Sequence, residues 1–544
     1  MKLVQSFAAA TALASLAAPA MTQTVPAPAA PPKLVIAISV DQLSADLWDA
    51  YRPYFTGGLA KLAGGTVYRN GFQSHAATET CPGHSTLLTA HHPAETRIVA
   101  NNWVDLKAAR ADKNIYCAED ESVAGSTSTA YTVSSKHLAE PTLGDLLKTL
   151  SPGSRNVAVA GKDRAAVMMG GHAPTQRWYW DGKTYATDRK ANSVPASVTA
   201  FNAALANAIA QPRAAMTPPA FCNGKDKVYQ VSPTLSVGNG RFERKAGDAG
   251  EFRRSPDFDG ATLALTAALI NELKLGKGAA TDLLSVGLSA TDYVGHAYGS
   301  GGMEMCLQMA ALDLQLGGFF DALDRNGVDY AVVLTADHGG LDIPERLRDR
   351  GVADAARLDP NFTVASIGKT LAGRFGLTGP VLHGGSLGDV WIDDKLSATD
   401  RRKVEKAALE IARAHPQVYA AYGREAVAKT PLPSGDPRGW NVLQRLRASY
   451  DPQRSGDILV VLKPNIMPIP APSVGYTATH GSPWDYDRRV PIVVWRKGAP
   501  AKATSDWADT LDLMPTVAAL MGVSLPKGTT TGRCLDAGGV VCPR

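Results

Sequence analysis

Three aspartates and three histidines fall where an apolar run has just ended or where a Gly/Pro-bounded loop begins. They are Asp41 in SVDQ, Asp292 and His296 in TDYVGH, Asp337 and His338 in TADHGG, and His480 in THGSP. Asp292 and His296 are four apart, so they share a face if that segment turns helically after its strand. Asp337 and His338 are adjacent, and both can serve one cleft only at a sharp strand-end turn; Gly339 and Gly340 are expected to supply that backbone freedom. Any one of these residues alone reads as a cap or a structural histidine. Together they suit two zinc ions with three protein ligands each, leaving positions open for substrate and water.

A second segment, Thr78-Glu79-Thr80-Cys81-Pro82-Gly83-His84, runs into STLLTA, which reads as the first turns of a helix. A hydroxyl at that place can cap the helix. The same place also favours a bound phosphate, because free backbone N–H groups and the positive end of the helix dipole point at it. On the residues alone, Thr80 either caps or attacks.

Such residues must be brought together by the elements that carry them. LVIAISV leads to Asp41, NVAVAG to Lys162, DLLSVGLSA to Asp292, and YAVVLTA to Asp337 and His338. These read as buried parallel strands. Between them lie helical patterns at Ala261 to Leu275 and Met305 to Leu323. Strand and helix in alternation indicate an α/β fold: a doubly wound, mostly parallel sheet flanked by helices. Ligands in such sheets sit beyond the strands' carboxyl ends, so the polar residues placed there by four strands should converge.

Two stretches, about 165–255 and 342–475, break the alternation with Trp/Tyr-rich, Pro-rich and mixed segments and are expected to be insertions capping the active edge. RVPIVVW and TLDLMPTVAALMGV then complete the core, giving catalytic segments at 33–341 and 476–544. Residues 1–20 carry Lys2, an apolar run and Ala18-Pro19-Ala20, the pattern of a secretory signal peptide, and 21–32 form a Pro/Ala-rich leader. No later stretch reaches the roughly 20 apolar residues of a spanning helix. Export to the periplasm or outside the cell follows, without a membrane span.

The chain's 544 residues, 45% of them apolar, can bury a large core. With 56 basic and 51 acidic residues the surplus is only +5, too small for the dense basic field of a nucleic-acid binder. Six cysteines (81, 117, 222, 306, 534, 542) fit an oxidising compartment, and none forms a C-x-x-C pair, so a metal site should use oxygen and nitrogen. Cys534 and Cys542 could close a small loop.

The segments T-E-T-C-P-G-H, A-N-N-W, G-K-D-R, S-A-T-D-Y-V-G-H, T-A-D-H-G-G and T-H-G-S-P resemble, in order, those of the threonine-nucleophile, phosphate-irrepressible bacterial alkaline phosphatases, a branch of the alkaline phosphatase superfamily. The resemblance runs from about Asp41 to the C-terminal helix. It implies hydrolysis of phosphate monoesters to inorganic phosphate through a phosphothreonine on Thr80, by a monomeric enzyme. It further implies that Asp41, Asp337 and His338 hold the zinc that activates Thr80. Asp292, His296 and His480 would hold the zinc facing the leaving group, and Asn101, Lys162 and Arg164 would grip the phosphoryl oxygens.

Lys162 and Arg164 are two apart, so on an extended strand end they would project to one side and match a dianionic monoester better than a diester. Cys81 carries no catalytic role, and His75, His91, His92 and His383 read as loop or supporting residues. The nearest alternative is a nucleotide pyrophosphatase or phosphodiesterase with the same bimetal core. A non-catalytic exported zinc- or phosphate-binding protein is the alternative from another class. Cys81-Pro82-Gly83 lacks the C-x-P-x-R pattern of sulfatases, and a phosphoglycerate mutase would use serine and manganese.

Overall fold

The computed structural model describes residues 30–189, 193–385, 388–540 and 542. The expected signal peptide and the leader as far as residue 29 lie outside the described residues. Among the described residues nine strands form the central sheet, in the order Lys502–Asp509, Thr66–Phe72, Arg489–Arg496, Tyr330–Thr335, Leu34–Val40, Asp282–Leu288, Asn156–Ala160, Gln176–Trp180 and Tyr185–Ala186. The run from Tyr330–Thr335 to Gln176–Trp180 is parallel throughout, whereas Arg489–Arg496 is antiparallel to both its neighbours.

Every residue of Leu34–Val40, Asp282–Leu288 and Tyr330–Thr335 is buried. Both faces of the sheet are covered, which is why these strands read as unbroken apolar runs instead of alternating. Trp48, Phe258, Leu265, Leu312 and Phe320 pack over one face; Leu87, Leu147, Leu513 and Val517 pack over the other. The helices anticipated near 261–275 and 305–323 are Asp257–Glu272 and Met303–Arg325.

Register decides where the chemistry meets. Val40 lies beside Leu288, Ser39 beside Thr335 and Gly287 beside Ala160. The ladder carries on one step past the strands, with Asp41 N donating to Leu288 O at 2.8 Å and Gly161 N to Gly287 O at 3.0 Å. Four carboxyl ends therefore stop side by side, and the residues that follow them share one edge.

Part of the stretch expected as a first insertion extends the sheet instead. Gln176–Trp180 is fully buried and pairs in parallel with Asn156–Ala160. Its Trp180 ring packs against Phe252 and Phe258. Within 342–475, an antiparallel sheet of Leu382–His383, Asp389–Ile392, Ile458–Leu462 and Val418–Gly423 packs with the helices Val364–Phe375 and Ala398–Ala414 around its own apolar cluster. Cystine bridges join Cys81 to Cys117, Cys222 to Cys306 and Cys534 to Cys542.

Candidate active site

The helix that carries Thr80 runs Thr80–Leu87 and is buried at all eight positions. Glu79, not Thr80, occupies its N-cap, and no side chain caps it. Thr80 is thus the first helical residue, with its hydroxyl uncommitted to capping. The helix lies directly on the end of Tyr330–Thr335, since a Cβ on Gly83 would collide with the Asp337 carbonyl.

Lys162 and Arg164 do not share an extended segment. Lys162 is extended (φ −118°, ψ 138°) and occupies the N-cap position of the helix Asp163–Gly170, whose first turn contains Arg164. The chain's turn from strand to helix nevertheless aims both at one point: Lys162 Nζ lies 3.4 Å and Arg164 Nη2 3.5 Å from Thr80 Oγ1. Asn101 joins them from a loop. Its Oδ1 accepts from Cys81 N at 2.8 Å and its own N donates to Glu79 Oε2 at 2.8 Å, which leaves its amide NH2 as the end able to donate to a substrate.

All six sequence-assigned acids and imidazoles gather beside Thr80. The helix Ala290–Tyr298 sets Asp292 Oδ1 3.4 Å from His296 Nε2, and the same oxygen is 3.3 Å from His480 Nε2 and 4.0 Å from His338 Nε2. His338 Nε2 is 3.2 Å from Asp337 Oδ2. Asp41 Oδ2 is 3.1 Å from Lys162 Nζ, which also contacts Asp292 Oδ2 at 2.5 Å.

Each imidazole is oriented by the backbone. His296 Nδ1 bonds Ala478 O at 2.8 Å, His338 Nδ1 bonds Gly339 O at 2.8 Å, and His480 Nδ1 bonds Thr78 O at 2.7 Å. A ring that donates its Nδ1–H presents the Nε2 lone pair on the other side, the arrangement metal-binding histidines use.

Burial and neighbouring charges together shift the groups of the cluster. Burial opposes ionisation of Asp292, but His296, Lys162 and His480 hold its carboxyl well below the usual range. Burial likewise opposes a charge on His338, yet Asp337 and Asp292 raise it to about 9. His296 falls to about 4, because burial outweighs the pull of Asp292. Asp292 and Asp41 keep the Lys162 ammonium above its ordinary range despite burial.

Among the described residues, Oδ1 of Asp41, Oδ1 of Asp292, Oδ2 of Asp337 and Nε2 of His338 are buried without a hydrogen-bond partner, and Asp41 Oδ2 meets the Lys162 ammonium. Unpaired buried carboxylate oxygens facing imidazole nitrogens are costly unless a cation binds them. The donor set, oxygen and nitrogen without thiolate, fits divalent metal.

Two further features differ from the sequence reading. Gly339 and Gly340 are needed for close approach, not for an unusual φ: a Cβ on Gly339 would meet the Tyr486 carbonyl and one on Gly340 the Gln42 side chain. His84 also belongs to the cluster. One donor atom each from Asp41, His84 and Asp337, and one each from Asp292, His338 and His480, form two groups whose atoms lie within 4.8 Å of one another. His84 was visible only as the last residue of the Thr80 motif; its position at i+4 from Thr80 on a helix was the signal available.

His84 Nδ1 donates to Thr80 O at 2.8 Å, and its Nε2 lies 3.4 Å from Asp41 Oδ1. Elsewhere, His75 bonds Gln73, His92 meets the Trp440 ring edge-on, His91 Nδ1 bonds Thr89 O, and His383 pairs with Asp393. A cavity of about 490 Å³ adjoins the cluster, bounded by Glu79, Asn101, His296, His480 and, on the cap side, Asp389 and Trp391.

The family model for type I phosphodiesterase / nucleotide pyrophosphatase matches residues 35–483. The chain is 50% identical to "Alkaline phosphatase PhoK" of Sphingomonas sp over 93% of its own length and 91% of the relative's. It is 45% identical to "Alkaline phosphatase PhoD" of Zymomonas mobilis over 95% and 90%. The crystal structure of wild-type alkaline phosphatase PafA shares the fold, with a TM-score of 0.78 and 23% identity over 92% of this chain and 98% of that one. The fold therefore has its counterpart in a known structure, and the chain belongs to the type I phosphodiesterase / nucleotide pyrophosphatase family, among its bacterial alkaline phosphatases.

Proposed function

We propose that the protein is an exported alkaline phosphatase that hydrolyses phosphate monoesters through a phosphothreonine on Thr80. The observation that carries the reading is the convergence of Lys162 Nζ and Arg164 Nη2 on Thr80 Oγ1, at 3.4 and 3.5 Å, beside the acid and imidazole cluster. The relatives named above are alkaline phosphatases by name, and the match to them spans nearly the whole chain.

Asp41, Asp337 and His338 would hold one zinc and Asp292, His296 and His480 the other. When bound, these ions would supply Lewis-acid activation of the Thr80 hydroxyl and neutralise charge on the departing oxygen. Lys162, Arg164 and the Asn101 amide would grip the three non-bridging oxygens. Thr80 Oγ attacks phosphorus in line as the ester P–O bond breaks, and water then displaces Thr80 from the phosphothreonine to release inorganic phosphate. Holding Thr80 at a helix N-terminus leaves its backbone amide directed at the developing charge.

His84 competes with His338 for the Asp41–Asp337 pair. Its Nδ1 donates its proton to Thr80 O and lies 3.3 Å from Asp337 Oδ2, while its Nε2 faces Asp41 Oδ1 at 3.4 Å. We assign it a supporting role beside the two carboxylates, which the metal content of a His84 variant tests. We take 33–341 and 476–544 as the catalytic core and 342–475 as a cap.

Three cystine bridges and the signal-like N-terminus support export; no helix among the described residues is long and apolar enough to cross a membrane.

The 490 Å³ cavity leaves room for a second ester substituent, which makes a phosphodiesterase the competing reading. A dianionic group uses two fixed cations better than a monoanionic diester does, so kcat/KM should be higher for an aryl phosphate than for the bis-aryl diester. The reverse ranking would favour the diesterase. Thr80→Ala should lose the phosphoenzyme and turnover while still binding zinc; undiminished hydrolysis by that variant would refute the nucleophile.

A further inference from the structure

The guanidinium that faces Thr80 is itself held. Among the described residues, Arg164 makes side-chain hydrogen bonds to Thr80 and to Tyr116, whose hydroxyl lies 3.4 Å from Nη1. Tyr116 is buried, and its hydroxyl donates to Asp163 Oδ1 at 2.7 Å. Tyr131 donates to the other oxygen of the same carboxylate at 2.8 Å, and the two phenol rings pack with centroids 4.6 Å apart. A phenol has one proton and two lone pairs. With its proton committed to Asp163, Tyr116 can offer Arg164 only a lone pair, so it acts as an oriented acceptor and cannot bind substrate oxygen itself.

Tyr116 is also tied to the nucleophile. It closes the hairpin of Asn102–Val104 and Asn114–Tyr116, opposite Asn102. The next residue, Cys117, donates its N–H to Asn101 O at 2.9 Å and is bridged to Cys81, the neighbour of Thr80. One hairpin end therefore carries the Asn101 amide and the anchor of Arg164, covalently joined to the residue after Thr80.

We propose that Tyr116 is a positioning residue for phosphate recognition, holding the Arg164 guanidinium in register with Thr80 through a frame that includes Asp163 and Tyr131. This rests on the phosphomonoesterase reading above. Arg164 has three rotatable carbons before its planar head, and among the described residues its Nε is buried without a hydrogen-bond partner, so loss of the Tyr116 oxygen releases the end that must meet the transferred group. Preorganisation of such a donor contributes to rate because its ordering is completed before the charge develops.

The test is a double-variant comparison in the zinc-loaded enzyme, with kcat/KM for an aryl phosphate and the inhibition constant of inorganic phosphate as readouts. Tyr116→Phe should lower kcat/KM about tenfold and weaken phosphate inhibition to a similar degree, the loss of one hydrogen bond to a charged group. In an Arg164→Ala background the same change should cost less than about twofold, because the residue it acts through is gone. Full wild-type efficiency in Tyr116→Phe, or an undiminished tenfold loss on top of Arg164→Ala, overturns the proposal. If Tyr116→Phe fails to unfold cooperatively on heating, Tyr131→Phe carries the same comparison, and additivity there overturns it equally. A parent enzyme that leaves the aryl phosphate intact removes the phosphomonoesterase reading and this inference together; an active parent with an indifferent Tyr116→Phe removes the inference alone.

Discussion

Lys162 contacts Asp292 at 2.5 Å, so the ammonium that reaches for the Thr80 oxygen is also the counter-ion of a carboxylate assigned to metal. Both groups are almost wholly buried. Replacing Lys162 by Met should act twice. It should lower kcat/KM for monoesters by about two to three orders of magnitude, the usual cost of one preorganised charge-binding donor. It should also destabilise the zinc-free protein by about 3–5 kcal/mol, because buried acids lose their counter-charge. Denaturant melts with and without zinc test this; equal destabilisation in both forms would show that metal and Lys162 do not compensate the same carboxylates.

Metal content separates the two ways of completing the Asp41–Asp337 pair. His338→Ala should bind about one zinc fewer after exhaustive dialysis, as expected when a ligand is removed. His84→Gln should keep the full complement and lose affinity by about 10–100-fold, the usual effect of a group that orients ligands. Loss of an equivalent from His84→Gln would move His84 into the ligand set. Chelation of the parent should abolish turnover, and added zinc should restore it.

Gly83 lets the Thr80 helix rest on the Asp337 backbone. Gly83→Ala would ordinarily favour a helix by about 1 kcal/mol. Here the methyl must push the helix off the strand end, so both melting temperature and kcat should fall. An Ala variant more stable than the parent would show that the contact can yield.

The Cys222–Cys306 bridge ties the turn Ala220–Cys222 to the long helix Met303–Arg325. The bridge joins elements that carry none of the residues assigned to the site, so Cys222→Ser with Cys306→Ser should cost about 2–4 kcal/mol of stability and leave kcat/KM close to the parent's. A large kinetic defect with intact stability would contradict that separation.

His92, whose described partners are Glu95, Ser74 and Trp440, gives a pH signature of its own. Burial, then the nearby charges of His91 and Arg447, lower it from 6.5 to about 3. The unfolded chain takes up that proton below about 6.5 while the folded chain refuses it, so stability is present above 6.5 and is lost as pH falls toward 3. At pH 4.5 the difference amounts to about 2–3 kcal/mol. His92→Asn, which can still cap Pro93–Thr96, should flatten the acid side of the stability curve by about that much. Parallel curves for parent and variant would mean that His92 is protonated in the folded state.

Much of this protein is written in its sequence. Fully apolar runs can persist only where a sheet is covered on both faces, so LVIAISV, NVAVA, DLLSVGL and YAVVLT had to be internal parallel strands. The polar residue after each run then had to lie at the sheet's carboxyl edge, and the four-residue spacing of Asp292 and His296 had to put them on one helical face. Those are local consequences of period and polarity. Other features depend on contacts between segments far apart in the chain, which no local pattern encodes. Strand register set the depth at which Asp41, Lys162, Asp292 and Asp337 meet. The turn after Ala160 brought Lys162 and Arg164 together from different conformations. Backbone carbonyls of Thr78, Gly339 and Ala478 chose the orientation of three imidazoles, and a hairpin carried Tyr116 to Arg164. Spacing named the donors; only tertiary packing could choose which face of each donor points inward.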